Sequence, residues 1–315
     1  MPLRIRSRTL PKHGLLPWLN WTLPNAVRRD RIDVMYFPVN ECWWRPVRPT
    51  VATLLDVAPY ADLKDMYPGW KDRLQAAVKR ATIVTAAARV VTISHYSARS
   101  IRRWQPRLAN RIAVVQCGLS SAFSAPVAVE KAREPSILFV GGFDRRKNIE
   151  RLVSAFEMLV RQGRPERLVL AGKRGEPGAL YYDIDAIVNE NSCRDRIVVL
   201  EPRRDDDLVD LYRTAAVLVL PSLVEGFGLP VLEAMACGCP VACSRAAALP
   251  EVGGDAAVYF DPLDTADIAS TIGRLLADGR LRSRLVRQGR RRAVTFSWNR
   301  AGDEVYRLLR ETACG

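Results

Sequence analysis

"SILFVGGFDRRKNIERLVSAF", Ser136 to Phe156, decides the fold. Ile137 to Val140 form an unbroken apolar run that stops at Gly141 and Gly142. Ile149, Leu152, Val153 and Phe156, continued by Leu159 and Val160, then recur at helical spacing. A strand without a polar face, followed by an amphipathic helix, is the unit of a parallel sheet covered on both sides. The unit returns downstream. "RLVLAG", "RIVVLEP", "AVLVLPS", "PVACS" and "AAVYF" are strands, and "DDDLVDLYRTA" is a helix with acids in its first turn. Ligands of such sheets lie at the carboxyl ends of the strands, so the loops there are the place to look for chemistry.

Upstream the texture is the same with fewer elements. "DVMYFP", "TVATLL", "VVTIS" and "IAVVQCG" are strands, "WKDRLQAAVKRATIVTAAAR" is a long helix and "SARSIRRW" a short one. Ser120 to Pro135 reads as a linker. The expectation is an α/β protein with two doubly wound domains facing a cleft. Residues 1–123 form the first, 124–297 the second, and 298–315 a helix that crosses back to the first domain.

The chain has 315 residues, 48% of them hydrophobic, enough for two cores. Seven cysteines are an odd number, and neither His13 nor His95 stands near Cys237, Cys239 and Cys243 to complete a metal set. Reduced thiols and a reducing, cytoplasmic compartment are expected. No run reaches the roughly 18 apolar residues of a membrane span, and "LLPWLNW" is too short and broken for a signal core. The net charge of +14 is uneven: Met1 to Phe123 holds 20 Lys and Arg against 7 Asp and Glu, and the remainder 28 against 27. A basic half implies an anionic partner: lipid, substrate or nucleic acid. With no nucleic-acid motif present, the last is set aside. An anionic membrane surface is expected, with the protein peripheral on its inner face. Trp43 and Trp44, beside Arg45 and Arg48, belong either at headgroup level or in the core.

Two loops carry candidate chemistry. In "VGGFDRRKN" a strand leaves through Gly141 and Gly142 and a helix follows, with Arg145, Arg146 and Lys147 between. Free backbone N–H groups and fixed cations suit a phosphate or diphosphate, and "AGKRG", with Lys173 and Arg174, repeats the idea at the next strand end. "VEGFGLPVLEAMACGCPV", Val224 to Val241, holds Glu225 and Glu233 around a glycine-rich turn. Pro230 opens a helix and Gly238 ends it, which places Glu233 in the first turn and Glu225 in the loop before. Gly226 and Gly228 permit close approach of a ligand.

That stretch resembles the E-x7-E motif of retaining glycosyltransferases of family 4, which have the GT-B fold. "FVGGFDRRKNIERLVSAF", "LVLAGKRG", "ALPEVGGDAAVYFDPLD" and "FSWNRAG" are similar to that family in its own order, and "DVMYFPVN", "LLDVAPY" and "VVTISHYSARSI" resemble it more loosely. The resemblance implies a nucleotide-sugar donor, with a hexose of the mannose type, and a lipid-linked or polysaccharide acceptor. Arg146 and Lys147 would hold the diphosphate, with Gly141, Gly142 and Lys173 beside it. Glu233 would take the ribose hydroxyls, and Glu225 with Gly226, Phe227, Gly228 and Leu229 would face the sugar. The resemblance implies no covalent nucleophile, no cofactor and no metal, so Asp205 to Asp207 read as a helix start. Two departures stand out. Leu55-Asp56 occupies the place of a His-Asp pair, leaving Asp56 as a substrate-binding candidate, while His95 stands at another strand end. The first domain is short, lacking a counterpart of the family's opening strand before "LLPWLNWTLP". These departures keep a second reading alongside: a non-catalytic nucleotide-sugar-binding protein, or an inactive fragment.

Overall fold

The computed structural model describes residues 7, 9–11, 17–55, 81–124, 134–178 and 180–314. Two sheets result, every strand pair in them parallel. The first is β1 (Met35–Phe37), β2 (Thr50–Thr53), β3 (Arg89–Thr92) and β4 (Ile112–Val114), in that spatial order. The second comprises β5 (Glu134–Val140), β6 (Arg167–Ala171), β7 (Ile197–Leu200), β8 (Ala215–Leu220), β9 (Val241–Ser244) and β10 (Val258–Phe260). Its spatial order is β10-β9-β8-β5-β6-β7, so the chain reverses direction across the sheet between β5 and β8. All the strands expected from the sequence are present.

The second sheet is buried on both faces. Ile137, Leu138 and Phe139 of β5 and Val217 to Leu220 of β8 are closed off from solvent. Helices supply the covers: α1 (Leu23–Arg29) and α2 (His95–Trp104) in the first half, then α3 (Ile149–Arg161), α4 (Asp205–Thr214), α5 (Leu229–Ala236), α6 (Leu249–Gly253), α7 (Thr265–Ala277), α8 (Gly279–Ala293) and α9 (Trp298–Cys314). In α3 the predicted stripe is the buried face: Ile149, Leu152, Val153, Phe156 and Leu159 point inward. Asp205 to Asp207 open α4, and the Asp207 carboxylate accepts from the N–H groups of Arg203 and Arg204.

The first sheet has two covers of different origin. On one face Leu23 and Val27 of α1, Phe37, Ile83 and Trp43 form a core. Trp43 is fully buried and donates its indole N–H to Thr50 Oγ1 at 3.0 Å, while Trp44, its neighbour, is half exposed. The other face is closed by α9: Ala301, Val305, Leu308 and Leu309 pack on Val51, Val91 and Val115. The helix that follows the second sheet in sequence thus completes the core of the first. Where the connections pass, a Cβ on Gly118 would fall 2.1 Å from the Trp298 backbone nitrogen, so glycine is required there. The long helix expected over residues 70–89 lies mostly outside the described residues; its part at 81–86 is helical. The linker expected from Ser120 to Pro135 holds a helical turn at Ser121–Ser124, and β5 begins before it ends.

Candidate active site

The reversal between β5 and β8 places two loops side by side at the carboxyl end of the sheet, the position where ligands of open α/β sheets bind. The β5 loop runs from Gly141 to Asn148, and the β8 loop from Pro221 to Gly228. They are stitched together by main chain and side chain. Leu223 N–H donates to the Arg146 carbonyl at 2.8 Å. Asn148 takes the left-handed conformation, which asparagine tolerates better than most residues. From there its amide donates to the carbonyls of Pro221 at 3.1 Å and Pro262 at 2.7 Å.

Each of the three cations of "RRK" has its own partner. Arg145 lies over the Tyr182 ring, 5.0 Å from its centre. Arg146 pairs with Asp144, Nε to Oδ1 at 2.9 Å, and Asp144 also caps the turn through the Arg146 N–H. Lys147 crosses to the other loop. Its stem passes Gly141, whose added Cβ would sit 3.4 Å from Lys147 Cε, and Nζ meets Glu225 Oε1 at 2.5 Å. Both side chains of this pair are 11% exposed. Ser222 Oγ donates to the same Oε1 at 2.8 Å, so both donors use one carboxylate oxygen. Glu225 itself is buried, and the loop behind it is pinned by Ala248 N–H on the Glu225 carbonyl. Beside the loops lies an open hollow of about 580 Å³, lined by Leu223, Arg245, Asp261, Pro262, Leu263 and Asp267.

The two glutamates of the opening motif do not share an environment. Gly228 adopts φ +110 and caps α5, which begins at Leu229. Glu233 is therefore the fifth helical residue and lies beyond the first turn, a correction to the sequence expectation. Its partner is not the helix end but Tyr212 of α4, whose hydroxyl donates to Oε2 at 2.8 Å. Burial raises the Glu233 carboxyl above the ordinary glutamate range; the Tyr212 hydrogen bond opposes that rise and the charge of Asp205 adds to it. Gly238, with φ +75, follows the end of α5.

The remaining candidates are placed as follows. Gly142 continues the β5 loop, and Gly172 at the end of β6 meets Gly141 backbone to backbone: a Cβ there would lie 1.7 Å from the Gly141 carbonyl oxygen. Lys173 is exposed in the next position, whereas Arg174 is committed to Glu201 and Asp185. Gly226 and Phe227 are buried; Phe227 packs edge-on against Phe296, 5.8 Å between centres. Leu229 is exposed at the start of α5. Asp56 lies outside the described residues. His95 begins α2, is exposed, and lines a cavity of about 120 Å³ with Gln116, Ser297, Arg300 and Glu304, none of them in the strand-end loops of the second sheet. Among the described residues, side chains of both halves meet beside those loops. Ser97 Oγ donates to the Gly226 carbonyl at 3.3 Å, and Glu251 accepts from His95 N–H at 2.8 Å and from Arg99 at 3.0 Å.

Sequence reading missed Asp144, Ser222, Tyr212 and Glu251 as members of this cluster. Asp144 and Ser222 stand within a few residues of the motifs, and their hydroxyl and carboxylate chemistry was the available signal. Tyr212 offered none beyond its place in an amphipathic helix.

Two parallel α/β sheets, with this cluster at the switch point of the second, define the GT-B architecture. The chain belongs to the group 1 glycosyl transferases, whose family description matches residues 123–292. It is 32% identical over 296 residues to O-antigen chain mannosyltransferase B of Escherichia coli, covering 89% of this chain and 76% of that protein. It is 29% identical to D-inositol 3-phosphate glycosyltransferase of Acidothermus cellulolyticus, covering 85% of this chain and 62% of the relative. Among solved structures, sucrose-phosphate synthase of Thermosynechococcus elongatus superposes with a TM-score of 0.74 at 24% identity, covering 92% of this chain and 76% of the other. HepE of Anabaena, in complex with UDP and glucose, gives 0.72 at 17% identity, covering 95% and 83%. The family makes this chain a glycosyltransferase. Among the described residues no helix is long and apolar enough to cross a membrane.

Proposed function

We propose that the protein moves a hexosyl group, mannose-type, from a nucleotide-diphosphate sugar to a lipid-linked or polysaccharide acceptor, with retention at the anomeric carbon. The observation that carries this reading is the Lys147–Glu225 pair, 2.5 Å apart at the β5/β8 switch point with Arg146 beside it. The mannosyltransferase activity of the E. coli relative supports mannose, and the UDP and glucose bound by HepE support a nucleotide-linked hexose.

The donor diphosphate lies across the β5 loop. Lys147 Nζ and Arg146 neutralise the charge that grows on it as the C1–O bond breaks. A phosphate oxygen competing for Nζ releases Glu225, whose carboxylate then addresses the sugar hydroxyls. Glu233, one helix turn deeper, takes the ribose hydroxyls. The acceptor hydroxyl forms its bond to C1 on the face from which the diphosphate departs, and its proton passes to a phosphate oxygen. The protein mainly positions groups and stabilises charge, and it forms no covalent intermediate. Each charge-assisted contact contributes roughly 1.5–3 kcal/mol, about 10- to 100-fold in rate or donor affinity. No metal or other cofactor takes part in this reading. The basic first half draws the enzyme to an anionic membrane surface, where a lipid-linked acceptor is presented.

The test is transfer from nucleotide-linked mannose and glucose to lipid-linked saccharides, with the product anomer read by NMR, in the presence and absence of EDTA. Transfer with retention, unaffected by EDTA, is expected. An inverted product refutes the front-face route. Activity lost in EDTA and restored by magnesium or manganese refutes metal independence. Donor binding with no transfer to any acceptor favours the non-catalytic reading.

A further inference from the structure

The second half is neutral in total, yet α8 carries seven arginines and no acid in the fifteen residues Gly279–Ala293. Three of them have work inside the fold. Arg282 donates to the carbonyls of Leu275 and Leu276, closing the end of α7. Arg292 donates to the carbonyls of Glu251 and Val252, and Arg290 lies against Gly238. The other four, Arg280, Arg284, Arg287 and Arg291, are spaced four, three and four residues apart, which puts them on one stripe about 16 Å long. All four are exposed, and none has an ion-pair partner among the described residues. The opposite face, with Leu285, Gly289 and Ala293, is buried.

Within the fold this arrangement is unfavourable. Like charges three and four residues apart repel, and Arg280 stands in the first turn, where the helix end is already positive. Asp278 caps the helix end through the Leu281 N–H, but α8 carries no acid to offset the repulsion along the stripe. At its C-terminal end the stripe runs into two exposed apolar side chains, Val294 at 79% and Trp298 at 53%. Cations in a row that end in an exposed tryptophan match the boundary between lipid headgroups and acyl chains: arginines reach the phosphates, and the indole sits at headgroup level.

We propose that the outer face of α8, with Val294 and Trp298, is a docking surface for anionic phospholipid headgroups. It is a second attachment point, on the donor-binding half, separate from the basic first half. The surface is tied to the site by packing: just past α8, Phe296 rests on Phe227 of the loop that carries Glu225. This inference concerns attachment and stands apart from the transfer reaction, which a soluble saccharide acceptor measures on its own.

The full chain is sedimented with vesicles of neutral phospholipid and of the same lipid containing anionic headgroups. Four proteins are compared: wild type, the stripe variant (Arg280, Arg284, Arg287 and Arg291 all to Gln), its all-Lys counterpart, and a control that changes Arg161, Arg167, Arg194 and Arg203 to Gln. Each stripe arginine that reaches the headgroups contributes about fivefold in partitioning. The stripe variant should therefore lose binding to anionic vesicles by well over tenfold, while the all-Lys variant and the control keep most of theirs. Wild type should bind neutral vesicles weakly and leave anionic ones as salt rises. Equal losses in the stripe variant and the control show a general charge effect and overturn the proposal. Unchanged binding in the stripe variant overturns it as well. Duplex nucleic acid bound by wild type in place of vesicles, and lost in the stripe variant, reassigns the surface to a different polyanion. Transfer to a soluble acceptor is measured on the same samples, and its retention shows that the variants are folded.

Discussion

The six-stranded sheet meets the cleft through loops whose polar side chains are held in place: Lys147 by Glu225 of the next loop, Arg146 by Asp144 of its own, Asn148 by Pro221 and Pro262. The described loops of the four-stranded sheet meet it with far less: a serine hydroxyl on Gly226 and the first turn of α2 on Glu251. The second sheet also closes its own core, whereas the first borrows α9 for one of its two covers. The contrast teaches a division of labour. Groups fixed across strand ends lose little freedom when a ligand arrives, which suits the second half to the charged donor proposed above, with the first half setting where those loops sit.

If that division holds, the largest effects must come from the β5–β8 stitch. Lys147→Ala removes the proposed counter-charge of the diphosphate and leaves a buried carboxylate without its cation. A loss of about 3–5 kcal/mol in stability is expected, with transfer reduced by about 10- to 100-fold. Denaturant titration and initial rates measure the two separately. Adding Glu225→Ala should recover most of the stability and none of the activity. A Lys147→Ala protein as stable as wild type would show that the pair is not buried in solution, and the contrast between the halves would weaken with it.

The fold of the second half was legible because each local pattern agreed with the final environment. The apolar run Ile137–Val140 needs two covers, and the stripe from Ile149 to Leu159 is one of them. The first half was legible as strands, but not as a core. The apolar face of α9 is visible in sequence, and a helix over 298–315 that crosses back to the first domain is expected from it; which strands it covers, some two hundred residues upstream, is not legible there. Trp43 and Trp44 look alike on paper; adjacent residues point opposite ways, and only the fold says that Trp43 goes inward to Thr50. The sequence places Glu233 in the first turn, without its Tyr212 contact, for a related reason. A helix-end argument is local, and the Tyr212 hydroxyl arrives from another helix. The arginine stripe of α8 was concealed by totals, since 28 cations against 27 acids across the second half hides a segment with no acid at all.

The next effect in size separates the two glutamates. Glu233→Ala should weaken binding of a free nucleoside diphosphate by roughly 10-fold or more, the value of a hydrogen bond to a charged group. Glu225→Ala should slow transfer while changing nucleotide affinity less, if its carboxylate addresses the sugar as proposed. Calorimetric titration decides, and equal losses of nucleotide affinity would erase the distinction. The raised titration of Glu233 adds a signature. Its folded value exceeds its unfolded one, so its contribution to stability is fully present below the unfolded pKa and is lost as pH rises through the folded pKa. Glu233→Gln should therefore stabilise the protein at neutral pH and flatten that part of the pH profile. Donor affinity should move oppositely in wild type, falling as pH drops through the same raised pKa, because only the carboxylate accepts two ribose hydroxyls. An acid limb that survives in Glu233→Gln assigns the titration to another group.

The smallest effect tests the first half directly. Glu251 accepts from His95 N–H and from Arg99, yet Arg99 is 63% exposed, and exposed ion pairs contribute about 0–1 kcal/mol. The contact to the α2 N-terminus has a similar worth, since a carboxylate there gains about 0.3–1 kcal/mol from the helix end. Glu251→Ala should thus cost on the order of 1 kcal/mol, a shift of a few degrees in melting temperature, and lower kcat/KM only several-fold. Glu251→Gln should cost less, because an amide oxygen still accepts from His95 N–H and only the Arg99 pair is lost. Arg99→Ala should be nearly silent. Rates and melting curves for the three variants give an order: Ala at Glu251, then Gln, then Arg99. If Glu251→Ala instead matched Lys147→Ala in rate while leaving stability alone, the α2 contact would be holding Glu225 in place through Gly226 and α6. The first half would then be part of the chemistry rather than its support.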